Sequence, residues 1–379
     1  MYKEILNQLK NAQKPIIFVG NGVRLAHAEE YLYKLLEDLQ IPILTTWRSM
    51  DLFEETHPLY VGRPGGIGER GGNTTLQTCD FLLCLGCRLD LASVAFDYKN
   101  FAPKATKIVV DIDAAELSKL DFPRTIIQED LKDFLFELGR MRLKYQNEEW
   151  LAKCKELHDQ PIETIKSDKL SLYQFIEQIT PYLEDKTVVV GSSGTISEVF
   201  CQSFKVPKGC RIIQSNGLGS MGFGLPAAIG VHYASGKPVI MLDGDGSFAM
   251  NTQELSLVAG AKLPIAMIII NNGGYVSIRN TQDSLCEGRQ LGVDNKHGLY
   301  LPNYERIANS YNIEYWEIID DNKLLWDEML ECICDIRDNE GPLICEVFTD
   351  PRHKTQCRTT TVKQADGTLK ASGLENLWP

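Results

Sequence analysis

Apolar runs recur along the chain, each bounded by turn-forming residues. "KPIIFVG" (14–20), "IPILTT" (41–46), "CDFLLCLG" (79–86) and "TKIVVDID" (106–113) form a first series. "TVVVGS" (187–192), "CRIIQS" (210–215), "KPVIMLDG" (237–244), "PIAMIIINN" (264–272) and "PLICEVF" (342–348) form a second. Apolar runs this short, without polar alternation, predict strands covered on both faces, as in parallel sheets. Helical spacing appears between them, in "AHAEEYLYKLLEDLQ" (26–40), "LYQFIEQITPYL" and "NTQELSLVAGAK" (251–262). Strands alternating with helices predict right-handed crossovers. The expected fold class is α/β, with two doubly wound parallel-sheet domains, the first of them Rossmann-like.

Residues 131–170 break the pattern. They are charged and helical, with no strand-like run. The boundaries that follow are a first domain over 1–145, a connector over 146–170, a second domain over 171–350 and a polar C-terminal tail over 351–379. A chain of 379 residues is long enough for about two domains.

Charge narrows the function. The net charge is -12 and no dense Lys/Arg run exists, which argues against nucleic acid as a partner. No apolar stretch approaches the ~20 residues of a membrane span, and the N-terminus does not read as a signal peptide. The 11 cysteines are irregularly spaced, as expected of reduced thiols in a cytoplasmic protein. "CLGC" (84–87) sits within a strand-like run and has no second CxxC, so buried structural thiols are expected. The six histidines share no metal-ligand spacing.

The chemistry concentrates where strands of the second series end. In parallel α/β sheets ligands bind beyond the carboxyl ends of the strands. "GSSGTIS" (191–197) offers small residues and a helix N-terminus, an anion cradle. "GDGS" (244–247) offers a carboxylate, accessible N–H groups and a hydroxyl, and "NNGG" (271–274) offers amide and backbone oxygens. One carboxylate plus neutral oxygens suits Mg2+, which completes its shell with phosphate oxygens and water. Taken singly, Asp245 reads as a turn residue, Asn271 and Asn272 as caps, and "SSG" as an N-cap. Their joint occurrence at three strand ends points instead to an Mg2+-held diphosphate.

These motifs also carry a resemblance. GDG, a spacer and NN resemble the signature of thiamine-diphosphate-binding enzymes. "NGLGSMGFGLPAAIG" (216–230) is similar to a stretch of the acetolactate-synthase group. "YVGRPGGIGERGGNTTLQTCDFLLCLGCRLD", followed by "KIVVDIDAAELSK", resembles that group's central domain. The likeness covers nearly the whole chain. It implies a central domain followed by a diphosphate-binding domain. By motif, Asp245 and Asn272 would bind Mg2+ through side chains and Gly274 through its backbone oxygen. Gly244, Gly246, Ser247 and the turn Ser193, Gly194, Thr195 would surround the diphosphate, although the family carries bulkier residues at 194 and 195. Met221 would be the wedge that bends the cofactor, with core filling as the alternative. The carbonyl of Gly219 would accept from the cofactor's amino group. Tyr275, Ser277 and Ile278 would lie near the substrate, and His297 is a candidate to face the site.

The implied activity is decarboxylation of a 2-oxo acid with transfer of the remaining acyl group to an acceptor. Two departures qualify it. Full-length relatives begin with a pyrimidine-binding domain that supplies an activating glutamate, and residue 1 here opens on the central domain. That domain is expected from a partner chain or a missing N-terminal region, and the chain alone is expected to bind the cofactor weakly and catalyse little. The second departure is Thr281, where biosynthetic members carry tryptophan. A carboligase using a sugar or aldehyde acceptor is therefore an alternative, as is an inactive structural or regulatory subunit of the same fold. An NAD-dependent dehydrogenase is disfavoured by the incomplete glycine fingerprint at 20–25. FAD, with residues 62–72 and Arg88 as its lining, is an alternative that is not favoured. A homo-oligomer is the expected assembly.

Overall fold

The computed structural model describes residues 1–162, 169–319, 323–336 and 341–375. The chain divides into two units: Met1–Glu163 together with Gln356–Pro379, and Thr164–Thr355.

The first unit is built on a five-stranded parallel sheet. Its strands are β1 (Pro15–Val19), β2 (Ile43–Thr45), β3 (Phe81–Leu85), β4 (Thr106–Asp111) and β5 (Thr125–Gln128), in the order β2-β1-β3-β4-β5. Alternate residues of β1 feed separate cores. Ile17 and Val19 pack with Leu32, Leu36 and Phe134 on one face, and Ile16 and Phe18 with Leu76, Phe101 and Trp150 on the other. Full burial of each such side chain is worth about 1.5–3 kcal/mol, which is why the strand reads as one unbroken apolar run.

Helix Glu148–His158, within the stretch read as a connector, belongs to this unit. Trp150 and Cys154 are buried in its core, and Trp150 Nε1 donates to the Pro15 carbonyl at 3.1 Å. The connector's residues 163–168 lie outside the described residues. The segment from Gln356 also belongs to this unit and is not a free tail. It forms an antiparallel pair, Thr361–Lys363 with Leu369–Ala371, and buries Leu374 in the core beside Phe101. Its polar sequence hides this, because among the described residues Leu374 is the one large apolar side chain it contributes to that core.

A buried charge cluster locks the same unit. Arg63, 1% exposed, pairs with Glu69 at 2.9 Å and donates to Tyr60 Oη. His158 bridges Glu69 and Glu55, at 3.1 Å on each ring nitrogen. Burial alone would lower the His158 pKa, but hydrogen bonds and charge from Glu55 and Glu69 outweigh it and raise it to about 9.

The second unit is built on a six-stranded parallel sheet. Its strands are β6 (Thr187–Val190), β7 (Arg211–Ile213), β8 (Val239–Gly244), β9 (Ile265–Asn271), β10 (Glu314–Ile318) and β11 (Leu343–Phe348), in the order β10-β11-β9-β8-β6-β7. From β6 the chain moves out to β7 and then returns to β6's other side to make β8. The strand order therefore reverses between β6 and β8, the place where such sheets open a crevice at their carboxyl ends. Strand β9 flanks β8, with Ile270 opposite Gly244, so both strands end at one level.

Candidate functional site

Three successive strand ends meet in one pocket. After β6 the chain passes through Ser193 into the 10-residue helix Gly194–Ser203. Ser193 makes no side-chain cap there, which leaves first-turn N–H groups for other partners. Gly194 has φ +73 and open space where a Cβ would stand. Ser193, Gly194 and Thr195 all line the pocket.

After β8, Gly244, Asp245, Gly246 and Ser247 line the same pocket. Asp245 is 2% exposed, and two backbone groups aim its carboxylate. Oδ1 accepts the Gly246 N–H at 2.6 Å and Oδ2 the Gly274 N–H at 2.9 Å. Burial still dominates and pushes its pKa up to about 6. From behind, Tyr304 Oη donates to the Asp245 carbonyl at 2.5 Å.

After β9, Asn272, Gly274 and Tyr275 complete the floor. Asn272 Nδ2 donates to Thr195 Oγ1 at 2.9 Å, while its Oδ1 is buried without a partner. Gly274 has φ +122, and a Cβ there would stand 2.2 Å from the Val293 carbonyl oxygen. Its own carbonyl accepts the Val276 N–H at 3.1 Å, which leaves a second lone pair. Among the described residues no group of three or more His, Cys, Asp or Glu is placed to hold a metal. The donor set here is thus one oriented carboxylate, one unpartnered amide oxygen and a backbone carbonyl, which suits a hard cation.

The turn 219–222 supplies the remaining wall. Met221 lines the pocket. Its position is held through Gly222, whose N–H donates to Ser247 Oγ at 2.9 Å and whose carbonyl accepts from Asn251 Nδ2 at 2.7 Å. Gly222 has φ +78, and a Cβ would press on Asn251. Gly219 sits behind this turn and does not line the pocket. Tyr275, Ser277 and Ile278 do line it; His297 does not, and its Nδ1 lies 2.7 Å from Asp294 Oδ1.

Several supporting residues escape sequence reasoning. Asp243, fully buried, lies between Gly191 and Gly224, and burial pushes it up to about 6. Asn271 Nδ2 donates to buried Glu346 at 2.5 Å. Glu198 accepts from Ser277 at 3.0 Å and from Thr355 at 2.6 Å. Arg279 pairs with Asp294 at 3.1 Å and donates to the carbonyls of Asn272 and Pro351. Asp243 was readable in "LDGDGS", two positions before the signature carboxylate, and Asn271 stands in "NNGG" itself; Glu346, Glu198 and Arg279 lie outside these motifs.

In the first unit, the loop 62–72 is knitted to itself. Asn73 makes two hydrogen bonds to the Gly65 backbone, and a Cβ at Gly68 would collide with Pro64 and Gly65. Arg88 is half exposed and pairs with Glu116 at 3.3 Å. Cys87 is buried and its Sγ contacts the Phe18 carbonyl at 3.0 Å, a structural thiol.

Comparison with known proteins decides the family. Residues 2–138 match the thiamine pyrophosphate enzyme central domain, and residues 192–347 match the thiamine pyrophosphate enzyme C-terminal TPP binding domain. The chain belongs to the thiamine pyrophosphate enzymes. A probable acetolactate synthase large subunit from Methanocaldococcus jannaschii is 31% identical over 92% of this chain and 60% of its own length. The acetolactate synthase isozyme 2 large subunit of Escherichia coli is 30% identical over 90% of this chain and 61% of its own. The large subunit of Lactococcus lactis is 30% identical over 91% of this chain and 59% of its own. The chain therefore spans about 60% of the length of these curated relatives. Membership of the thiamine pyrophosphate enzymes implies thiamine diphosphate as cofactor. Among the described residues no helix is long and apolar enough to cross a membrane.

Proposed function

We propose that this chain is the Mg2+- and thiamine-diphosphate-binding part of an acetolactate-synthase-like 2-oxo acid decarboxylase or carboligase that works in the cytoplasm. The observation that carries the reading is the buried, unpartnered Oδ1 of Asn272 beside the backbone-oriented carboxylate of Asp245. A buried acceptor without a partner costs about 1–3 kcal/mol, a cost that a bound cation removes. Asp245, Asn272 and the Gly274 carbonyl would hold the metal. Ser193, Gly194, Thr195, Gly244, Gly246 and Ser247 would hold the diphosphate, helped by the helix N-terminus at Gly194. Met221 and Gly219 would receive the pyrimidine end. When bound, thiamine diphosphate supplies the carbanion chemistry that removes CO2 from a 2-oxo acid. Ile196, Ile270, Val276 and Ile278 contribute apolar lining that excludes water.

The group that activates the other end of the cofactor would come from a pyrimidine-binding domain, on a partner chain or in an N-terminal region, within a homo-oligomer. The greater length of the relatives supports this. A sugar or aldehyde acceptor is the second reading. It is favoured by Thr281, which is exposed and donates only to the Ser277 carbonyl of its own helix, at 3.0 Å.

Calorimetry with thiamine diphosphate tests the reading. Binding is expected to be tight with Mg2+ and weak with EDTA, and to lose its Mg2+ dependence in Asp245→Ala, whose fold is checked by circular dichroism. Absence of binding under any metal condition contradicts the cofactor assignment. Steady pyruvate consumption by the purified chain alone contradicts the partner requirement.

A further inference from the structure

A primary amide has one acceptor end and one donor end of nearly equal shape, so its neighbours decide which end faces a site. Asn272 is 6% exposed, and its Nδ2 donates to Thr195 Oγ1 at 2.9 Å. Thr195 is itself 5% exposed and stands in the first turn of the helix Gly194–Ser203. Turned over, the amide would offer its oxygen to the hydroxyl and leave two buried N–H donors facing the pocket. The main chain of Asn272 is held separately, its carbonyl accepting from Arg279 at 3.4 Å and the Asp245 carboxylate gripping Gly274 beyond it. The side chain is thus seated by Thr195, whose hydroxyl meets one end of the amide and leaves the other toward the pocket.

We propose that Thr195 is a positioning residue that holds one end of the Asn272 amide, so that its other end, the unpartnered oxygen, stays aimed at the cation. This rests on the reading of Asp245 and Asn272 as metal ligands and adds a role for Thr195 beyond contact with diphosphate. Because Thr195 lies in the turn that would cradle the diphosphate, metal ligand and anion cradle are linked through one hydrogen bond. Occupation of either is then felt by the other, as any coupling between sites must be reciprocal.

Two variants of the full chain test this. Thr195→Val keeps the shape and removes the acceptor; Thr195→Ser keeps the hydroxyl. In selectively 15N-asparagine-labelled protein without ligand, the Asn272 side-chain NH2 signals, identified by their loss in Asn272→Asp, should shift and exchange faster in Thr195→Val but not in Thr195→Ser. In titrations with thiamine diphosphate, Thr195→Val should lose roughly ten-fold of the affinity measured with Mg2+ and none of that measured with EDTA, with Thr195→Ser near wild type. Unchanged amide signals in Thr195→Val overturn the proposal. An equal loss of affinity with and without Mg2+ also overturns it, since the hydroxyl would then serve the diphosphate directly. A wild-type chain with no Mg2+-dependent binding overturns the proposed function instead, and the amide signals still decide the Thr195–Asn272 bond.

Discussion

At Gly246 an aromatic ring leaves no room for a side chain. A Cβ there would stand 2.2 Å from Tyr275 Cε1. The glycine of the "GDG" signature is therefore as much a packing requirement as a backbone one, and Tyr275 is its counterpart. Gly246→Ala should cost about 1–3 kcal/mol, because Tyr275 must leave its seat. The double variant with Tyr275→Ala should recover most of that loss in chemical denaturation, and a purely additive pair would show that the ring is not the obstacle. The backbone of Asp245 is not that of a turn but of the first residue of the short helix Asp245–Phe248. Its carboxylate answers to the Gly246 and Gly274 N–H groups, and only the second of these could be anticipated from the paired strand ends.

At the scale of elements, the loop after β9 is held by segments distant in sequence. Arg279, on the helix Val276–Leu285, reaches the Asn272 carbonyl, the Pro351 carbonyl and Asp294, while the Tyr275 N–H donates to the Val293 carbonyl at 2.8 Å. Arg279→Met should raise amide hydrogen exchange across 272–276 by roughly ten-fold while exchange in β8 stays unchanged. Equal exchange in parent and variant would show that the loop holds itself. Legibility followed burial. Strands β1, β3, β8 and β9, covered on both faces, stood out as apolar runs within two residues of their observed limits. Strands β5 and β10 passed unnoticed because few of their side chains are buried: "TIIQ" buries only Ile127 and "EYWEI" only Ile318. The three strand ends that line the pocket were legible because each is a motif contiguous in sequence. Glu346, Arg279 and Tyr304 were not, since only the fold brings them to the site.

For the whole molecule, the buried charges of the first unit set a dependence on pH. His158 has its folded pKa raised from 6.5 to about 9. Its contribution to stability is therefore fully present below about pH 6.5 and lost as pH rises through about 9, a change on the order of 2 kcal/mol. Thermal melts from pH 6 to 10 should show a decline that His158→Gln flattens. A parallel decline in parent and variant would assign the pH effect to other groups.

The first unit is written in two pieces, Met1–Glu163 and Gln356–Pro379, with the whole second unit between them. Its returning piece is a working part of the structure: Leu374 fills the core, and Glu375 accepts from Gln77 at 2.9 Å and from Asn100 at 3.0 Å. During synthesis, then, the later-coded unit has all its residues before the earlier one does. The first unit cannot close its core around Leu374 until Gln356–Pro379 has been made.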